Sequence, residues 1–445
     1  MRRRALLGQA ALLAVALVPP GVRSASNGWA IAAIADTATS DFEINGLHVI
    51  LRRNAATDVV AANLFLLGGV QQLTPETQGI EALLLIASGK GSRRFPGPKV
   101  RQEISRLGSE ITVGAGEDFS TYGMKAIRST FDSTWAIYAD RLLTPTLATA
   151  DVDLIKSQMI TGLRQIDISP DALLNRLADS VTFTGHPYGL AAEGTEQAIA
   201  RMTPVHLREY MQRTFVTSRM LLVVVGNVDR QKIEQLVRST IATLPRGDYV
   251  WKAPPLVVGK KASVLRSANL PTNYLAGYYA GPPATSDDYT ALRVAAAVLS
   301  GRFFTEIRSR RNLSYAADAP FLERAIATGG VYVTTVDPNA SLQIMRTEIS
   351  RLQDELIDGE GLDRLVEQFI TEYFLKNETN GDQATFLARA AIYQGDYRTA
   401  DRFVTDLRRV RPDDIRRAAR QYIRNFSFAY VGDLTRLDRS LLDRF

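Results

Sequence analysis

The chain has 445 residues, 46% of them hydrophobic, with 53 Lys+Arg against 47 Asp+Glu. That length and apolar content point to at least two domains, each able to bury a sizeable core. Four of the arginines lie in residues 1–24 with no acid beside them, so the formal charge of +6 falls to +2 for the rest, and no basic tract interleaved with aromatics marks a nucleic-acid surface. The absence of cysteine excludes disulfides and thiolate metal sites.

Arg2, Arg3 and Arg4 precede a run from Ala5 to Val18 that is apolar but for Gly8 and Gln9, and Pro19-Pro20 break it. This pattern predicts a secretory signal peptide over residues 1–24, too short and wrongly flanked for a membrane span. Its Arg-Arg-Ala-Leu-Leu portion also fits a loose twin-arginine signal. No later stretch reaches spanning length, so the remainder reads as an exported protein without a membrane span.

Phe42 to Leu51 alternates around Asn45-Gly46, a hairpin signal because both residues tolerate positive φ. The apolar run Val60 to Leu67 reads as a strand closed by Gly68-Gly69. A polar loop with Pro75 follows, then a helix-length segment from Gly79 to Ser92. Gly97 to Leu107 reads helical, and Ile111 to Lys125 reads as one or two strands interrupted by Gly114 and Gly116. Thr130 to Leu143 and Ala150 to Asp167 read as amphipathic helices. Thr203-Pro204 opens another helix, followed by the strand Leu221 to Val225 and Gly226. A Pro-, Gly- and Lys-rich linker spans residues 246–261.

The same signals then return. Tyr274 to Gly281 repeats the strand and its glycine 212 residues on; Arg411-Pro412 repeats the helix opening 208 residues on; Phe428 to Gly432 repeats the strand–glycine turn 206 residues on. Three features in one order at nearly one spacing indicate duplication of a unit of domain size. The fold class is α+β: two homologous α/β sandwich domains, residues 27–245 and 262–445, each a mostly antiparallel sheet packed with helices.

Two segments carry the chemistry. The Gly79–Ser92 helix, with its strand before and glycine-punctuated exit after, resembles the active-site helix of the pitrilysin/insulinase-type zinc peptidases, whose signature is H-x-x-E-H. On that pattern the histidine positions are Ala82 and Ile86 and the glutamate position is Leu85, none of which offers a metal ligand or a titratable base. The resemblance also implies a third ligand on a later helix, placed at about Ile155. His48, His186 and His206 read as structural, His186 within the Gly-His-Pro-Tyr-Gly turn that this family carries as scaffold.

The second segment is Phe303-Phe304-Thr305-Glu306-Ile307-Arg308 with Arg311-Asn312-Leu313-Ser314-Tyr315. It resembles the arginine–tyrosine element that, in mitochondrial processing peptidase-like relatives, faces the zinc and donates hydrogen bonds to the substrate. The residues in question are Arg308 and Tyr315; Arg310 and Arg311 read as solvated helix charges. The resemblance therefore implies the non-zinc-binding subunit of a heterodimeric zinc metalloendopeptidase in the bacterial periplasm. Such a subunit holds no cofactor of its own, and the zinc sits in a paralogous partner. Peptides are the implied substrates. The alternative is a peptide-binding or assembly scaffold of the same fold with no catalytic role.

Overall fold

A computed structural model of the chain describes residues 39–257 and 261–445, so the predicted signal peptide lies outside the described residues. Asn45 and Gly46, at φ +50° and +83°, make the tight turn between β1 (Thr39–Ile44) and β2 (Leu47–Arg53). β3 (Val59–Leu67), β4 (Glu110–Gly114), β5 (Phe119–Ile127) and β6 (Met220–Gly226) complete a six-stranded sheet in the order β1-β2-β6-β3-β5-β4. The stretch read as one or two strands is thus two, paired antiparallel. Only β2 and β6 run parallel.

The second sheet comprises β7 (Ala262–Ser267), β8 (Asn273–Pro283), β9 (Ala316–Asp318), β10 (Phe321–Leu322), β11 (Ile326–Thr335) and β12 (Ser427–Gly432). Its order is β10-β11-β8-β12-β7, with β9 also on β11. β12 and β7 are parallel; β12–β8 and β8–β11 are antiparallel. The paths β2-β6-β3-β5 and β7-β12-β8-β11 therefore have the same order and the same sense at every step. This is the duplication that the recurring proline and glycine signals indicated.

Alternation along the central strands divides the apolar residues between two layers. Leu64, Leu66, Leu222 and Val224 face one core with the helices α1 (Ile80–Ala87) and α2 (Thr149–Ile168). Phe65, Leu221, Val223 and Val225 face the other way. Each sheet is covered on this second face by a helix from the opposite half of the chain. α3 (Pro170–Thr182) lays Leu173, Leu174 and Ala178 on Ala276, Tyr278, Ala429 and Val431 of the second sheet. The inner side of that sheet packs on α4 (Asp288–Phe303) through Leu292, Ala295 and Leu299. α5 (Asn380–Gln394) returns the exchange, laying Ala384, Leu387 and Ala388 on the first sheet. Strands buried on both faces need no polar alternation, which is why Leu221 to Val225 is continuously apolar. Both sheets belong to one compact unit, Ala38–Phe445.

Candidate functional site

Gly79 turns the chain into α1 at φ +89°, and a Cβ there would come within 2.7 Å of the Gly194 Cα. Glu81 anchors the helix from beneath. Its Oε2 accepts from Arg219 at 2.7 Å and from the Tyr210 hydroxyl at 2.8 Å, while Arg219 Nε donates to the Leu67 carbonyl at 2.6 Å. Glu81 and Arg219 are both buried, so this pair joins α1 to the end of β3 and the start of β6 through charge-assisted bonds. A lone acid inside an otherwise apolar helix was the sequence signal for it.

On the other side of α1, Ala82, Leu85 and Ile86 line a cavity of about 450 Å³. Met159, Gly162, Leu163 and Ile166 of α2 face them, Val113 to Ala115 close one wall, and Glu193 stands at the rim. Ile155 does not face this space. It is buried in the first core, and the cavity-lining residues of α2 lie one to three turns further along. Apart from Glu193 the lining side chains have no ligand atom for a hard or borderline cation, so these residues do not fit zinc. Among the described residues no three His, Cys, Asp or Glu side chains cluster at metal-binding spacing.

The histidines have local partners instead. His48 Nε2 lies 3.2 Å from Asp41. His206 is exposed near the start of the helix that Thr203 caps. His186 Nδ1 accepts from the Tyr188 amide at 3.1 Å, so its Nε2 carries the proton given to the Pro255 carbonyl at 2.9 Å. Burial pushes the His186 pKa down, favouring that neutral form.

Arg308 and Tyr315 do come together. α4 ends in a π-helical turn, Phe304–Ser309, a wider geometry common at functional sites. It holds the Arg308 guanidinium 4.9 Å from the Phe304 ring centroid and 5.9 Å from that of Tyr315. Tyr315 is 85% exposed and Phe304 48% exposed, an unusual pairing of open aromatics on one cation. Arg310 and Arg311 are not independent solvated charges: both bind Glu306, Arg310 at 2.6 Å, and the Arg311 hydrogen bond holds the Glu306 carboxyl below the usual range. Glu306 is thus occupied, and Arg308 makes no ion pair among the described residues. Its guanidinium and the Tyr315 hydroxyl are donors facing solvent. Phe304, which orders the arginine, was missed in sequence because an exposed phenylalanine on a helix resembles any core position.

A second polar cluster joins the two sheets. Arg324, just before β11, donates to both carboxylate oxygens of Asp179 on α3 (2.9 and 3.2 Å) and to Glu117 (3.1 Å). Next to it the Tyr188 hydroxyl donates to Asp118 at 2.6 Å, and the Ala325 amide donates to the other oxygen at 2.9 Å. Burial raises the pKa of both Asp118 and Asp179 against the pull of these donors. The His-Pro-Tyr-Gly turn therefore works as scaffold at the junction of the halves.

The duplicated α+β fold that carries the exposed arginine–tyrosine pair and the apolar cavity beside α1 is shared with the peptidase M16 inactive domain. Residues 201–369 match the family described as the peptidase M16 inactive domain. It is 19% identical over 396 residues to an uncharacterized zinc protease, YmxG, of Bacillus subtilis, covering 87% of this chain and 96% of that one. It is 22% identical to the mitochondrial-processing peptidase subunit beta of Lentinula edodes, over 88% of this chain and 89% of that one. To subunit 1 of the mouse mitochondrial cytochrome b-c1 complex it is 22% identical, over 63% and 59%. The crystal structure of a peptidase M16 inactive domain from Pseudomonas fluorescens superposes with a TM-score of 0.82 at 16% identity, over 89% of this chain and 98% of that one. Among the described residues no helix is long and apolar enough to cross a membrane.

Proposed function

We propose that this chain is the catalytically incomplete subunit of a heterodimeric zinc metalloendopeptidase, exported to the bacterial periplasm. It lacks the zinc site, and zinc resides in a paralogous partner. Arg308 and Tyr315 act in trans, binding the peptide and donating hydrogen bonds to the oxyanion that develops at the scissile carbonyl. The observation that carries this reading is the free arginine–tyrosine pair: two exposed donors, ordered by Phe304 and without an acidic partner. Preorganised donors of this kind are worth about 10²–10³ in rate each. Two relatives named as subunits, of a processing peptidase and of a respiratory complex, support a role inside an assembly.

The test is reconstitution. The purified chain alone is expected to show no chelator-sensitive peptidase activity, and mixing with a zinc-bearing paralogue is expected to create it. Robust activity from the chain alone overturns the reading. The relative in the cytochrome b-c1 complex favours a second reading, an assembly scaffold without catalytic role. Recovery from periplasmic extract of a stoichiometric partner without a zinc motif would favour that scaffold.

A further inference from the structure

We propose that His186 is an acid-released clasp on the linker between the two halves: its neutral imidazole holds Pro255 to the His-Pro-Tyr-Gly turn, and protonation frees that stretch. The device needs neither a partner subunit nor a substrate.

The linker is tied down unevenly. Where it begins, the Thr217 and Ser218 amides donate to the Pro245 and Arg246 carbonyls, both at 2.9 Å. The Tyr249 amide donates to Ser218 Oγ at 3.1 Å, and Gln71 donates to the Lys252 carbonyl at 3.3 Å. From residue 253 to 257 the bond from His186 to the Pro255 carbonyl, 2.9 Å, is the only hydrogen bond among the described residues. Pro254 is buried and Val257 packs beside Phe183 and Tyr188, so apolar contact remains on either side of the clasp. Leu256 between them is 64% exposed.

The clasp closes in one protonation state only. Nδ1 accepts from the Tyr188 amide while Nε2 donates to Pro255. An imidazolium carries a proton on both nitrogens and accepts on neither. Its Nδ1 proton would face the Tyr188 N–H across 3.1 Å, so the ring turns away and Pro255 loses its donor. A second cation already occupies the same rings. The Arg324 guanidinium stands 5.5 and 5.2 Å from the ring centroids of Phe183 and Tyr188, which lie 5.5 and 5.0 Å from the imidazole. Arg324 is held there by Asp179 and Glu117. Asp118, bound to Tyr188 and Ala325, favours the imidazolium, as does the Pro255 carbonyl; burial outweighs both, and Arg324 adds to it. The folded pKa therefore lies below the ordinary value of about 6.5, and the clasped state loses its advantage as pH falls through that lowered pKa.

The chain has no cysteine, so Leu256→Cys takes a single nitroxide label in the full chain. Label mobility is followed from about pH 7.5 to about pH 5, beside circular dichroism and an NMR titration of the His186 ring. The label is expected to be restrained at the upper end and to loosen with a midpoint below about pH 6.5. That midpoint should match the one of the His186 ring, with circular dichroism unchanged. Neither His186→Gln nor His186→Ala can titrate at this position, so label mobility in both should not respond to pH, and His186→Ala should be loose throughout. Mobility independent of pH in the chain with His186 intact overturns the proposal. So does the same pH response in His186→Gln, a restrained label in His186→Ala, or a midpoint that departs from that of the His186 ring. Loosening that comes only with loss of circular dichroism also overturns it, because that is unfolding rather than release. The comparison of midpoints keeps His186 in place, so it decides the matter even where a variant does not fold. No arm measures proteolysis, and the reconstitution test stands apart from all of them.

Discussion

Replacing Arg324 by methionine removes the charge that ties α3 to the second sheet. The guanidinium is 7% exposed as a residue and lies over the rings of Phe183 and Tyr188. Breaking a fully buried ion pair by deleting one partner costs about 3–5 kcal/mol, mostly through the charge left behind. Here the stranded carboxylate, Asp179, keeps 29% of its side-chain exposure, so water recovers part of its hydration. Glu117 keeps 41% and adds little. Methionine replaces the aliphatic stem with similar volume, so the packing loss is small. The expected cost of Arg324→Met is therefore about 2–3 kcal/mol. It is read as a lower urea midpoint by circular dichroism at unchanged m-value. Arg324→Met combined with Asp179→Leu leaves only the more exposed Glu117 without its partner and should recover more than half of that loss. A single-variant cost below about 1 kcal/mol, or a double variant as unstable as the sum of its parts, would refute the assignment of this cluster as the junction.

Tyr315→Phe deletes one exposed hydroxyl, so folding and heterodimer yield should not change, while kcat of a reconstituted pair should fall about ten- to a thousandfold. Arg308→Lys should also impair turnover because the planar fork is lost; loss of assembly instead would make the segment a docking surface. Gly162→Ala should stabilise the chain by about 0.5–1 kcal/mol, seen as a raised urea midpoint, because the new methyl meets nothing within 4 Å. Asp118 has a folded-state pKa above its unfolded value, so its stabilising contribution is full below about pH 4 and is lost as pH rises through the raised pKa. Asp118→Asn should lower stability overall, through lost acceptance from Tyr188 and Ala325. It should also flatten the decline in denaturation midpoint with rising pH; an unchanged slope would exclude Asp118 as its source.

Local signals were legible wherever one residue type determines backbone or chemistry. Asn45-Gly46 announced the hairpin, Pro204 and Pro412 the helix starts, and their spacing the duplication that the strand order bears out. Ala82, Leu85 and Ile86 stood out because none of the three side chains carries a ligand atom, and the spacing from Arg308 to Tyr315 brought the pair to notice. Tertiary packing decided the rest, because it depends on which surfaces meet rather than on periodicity. A helix pattern shows that a face is apolar but not which sheet it covers, so the exchange of α3 and α5 was invisible. The register of α2 had to be set by its contact with α1, which put Met159 to Ile166, not Ile155, on the cavity. Glu81, Asp118, Asp179 and Arg324 read as ordinary charges until burial gave each a partner from a distant segment. Phe304 became a positioning residue only when the π-helical turn set its ring against Arg308.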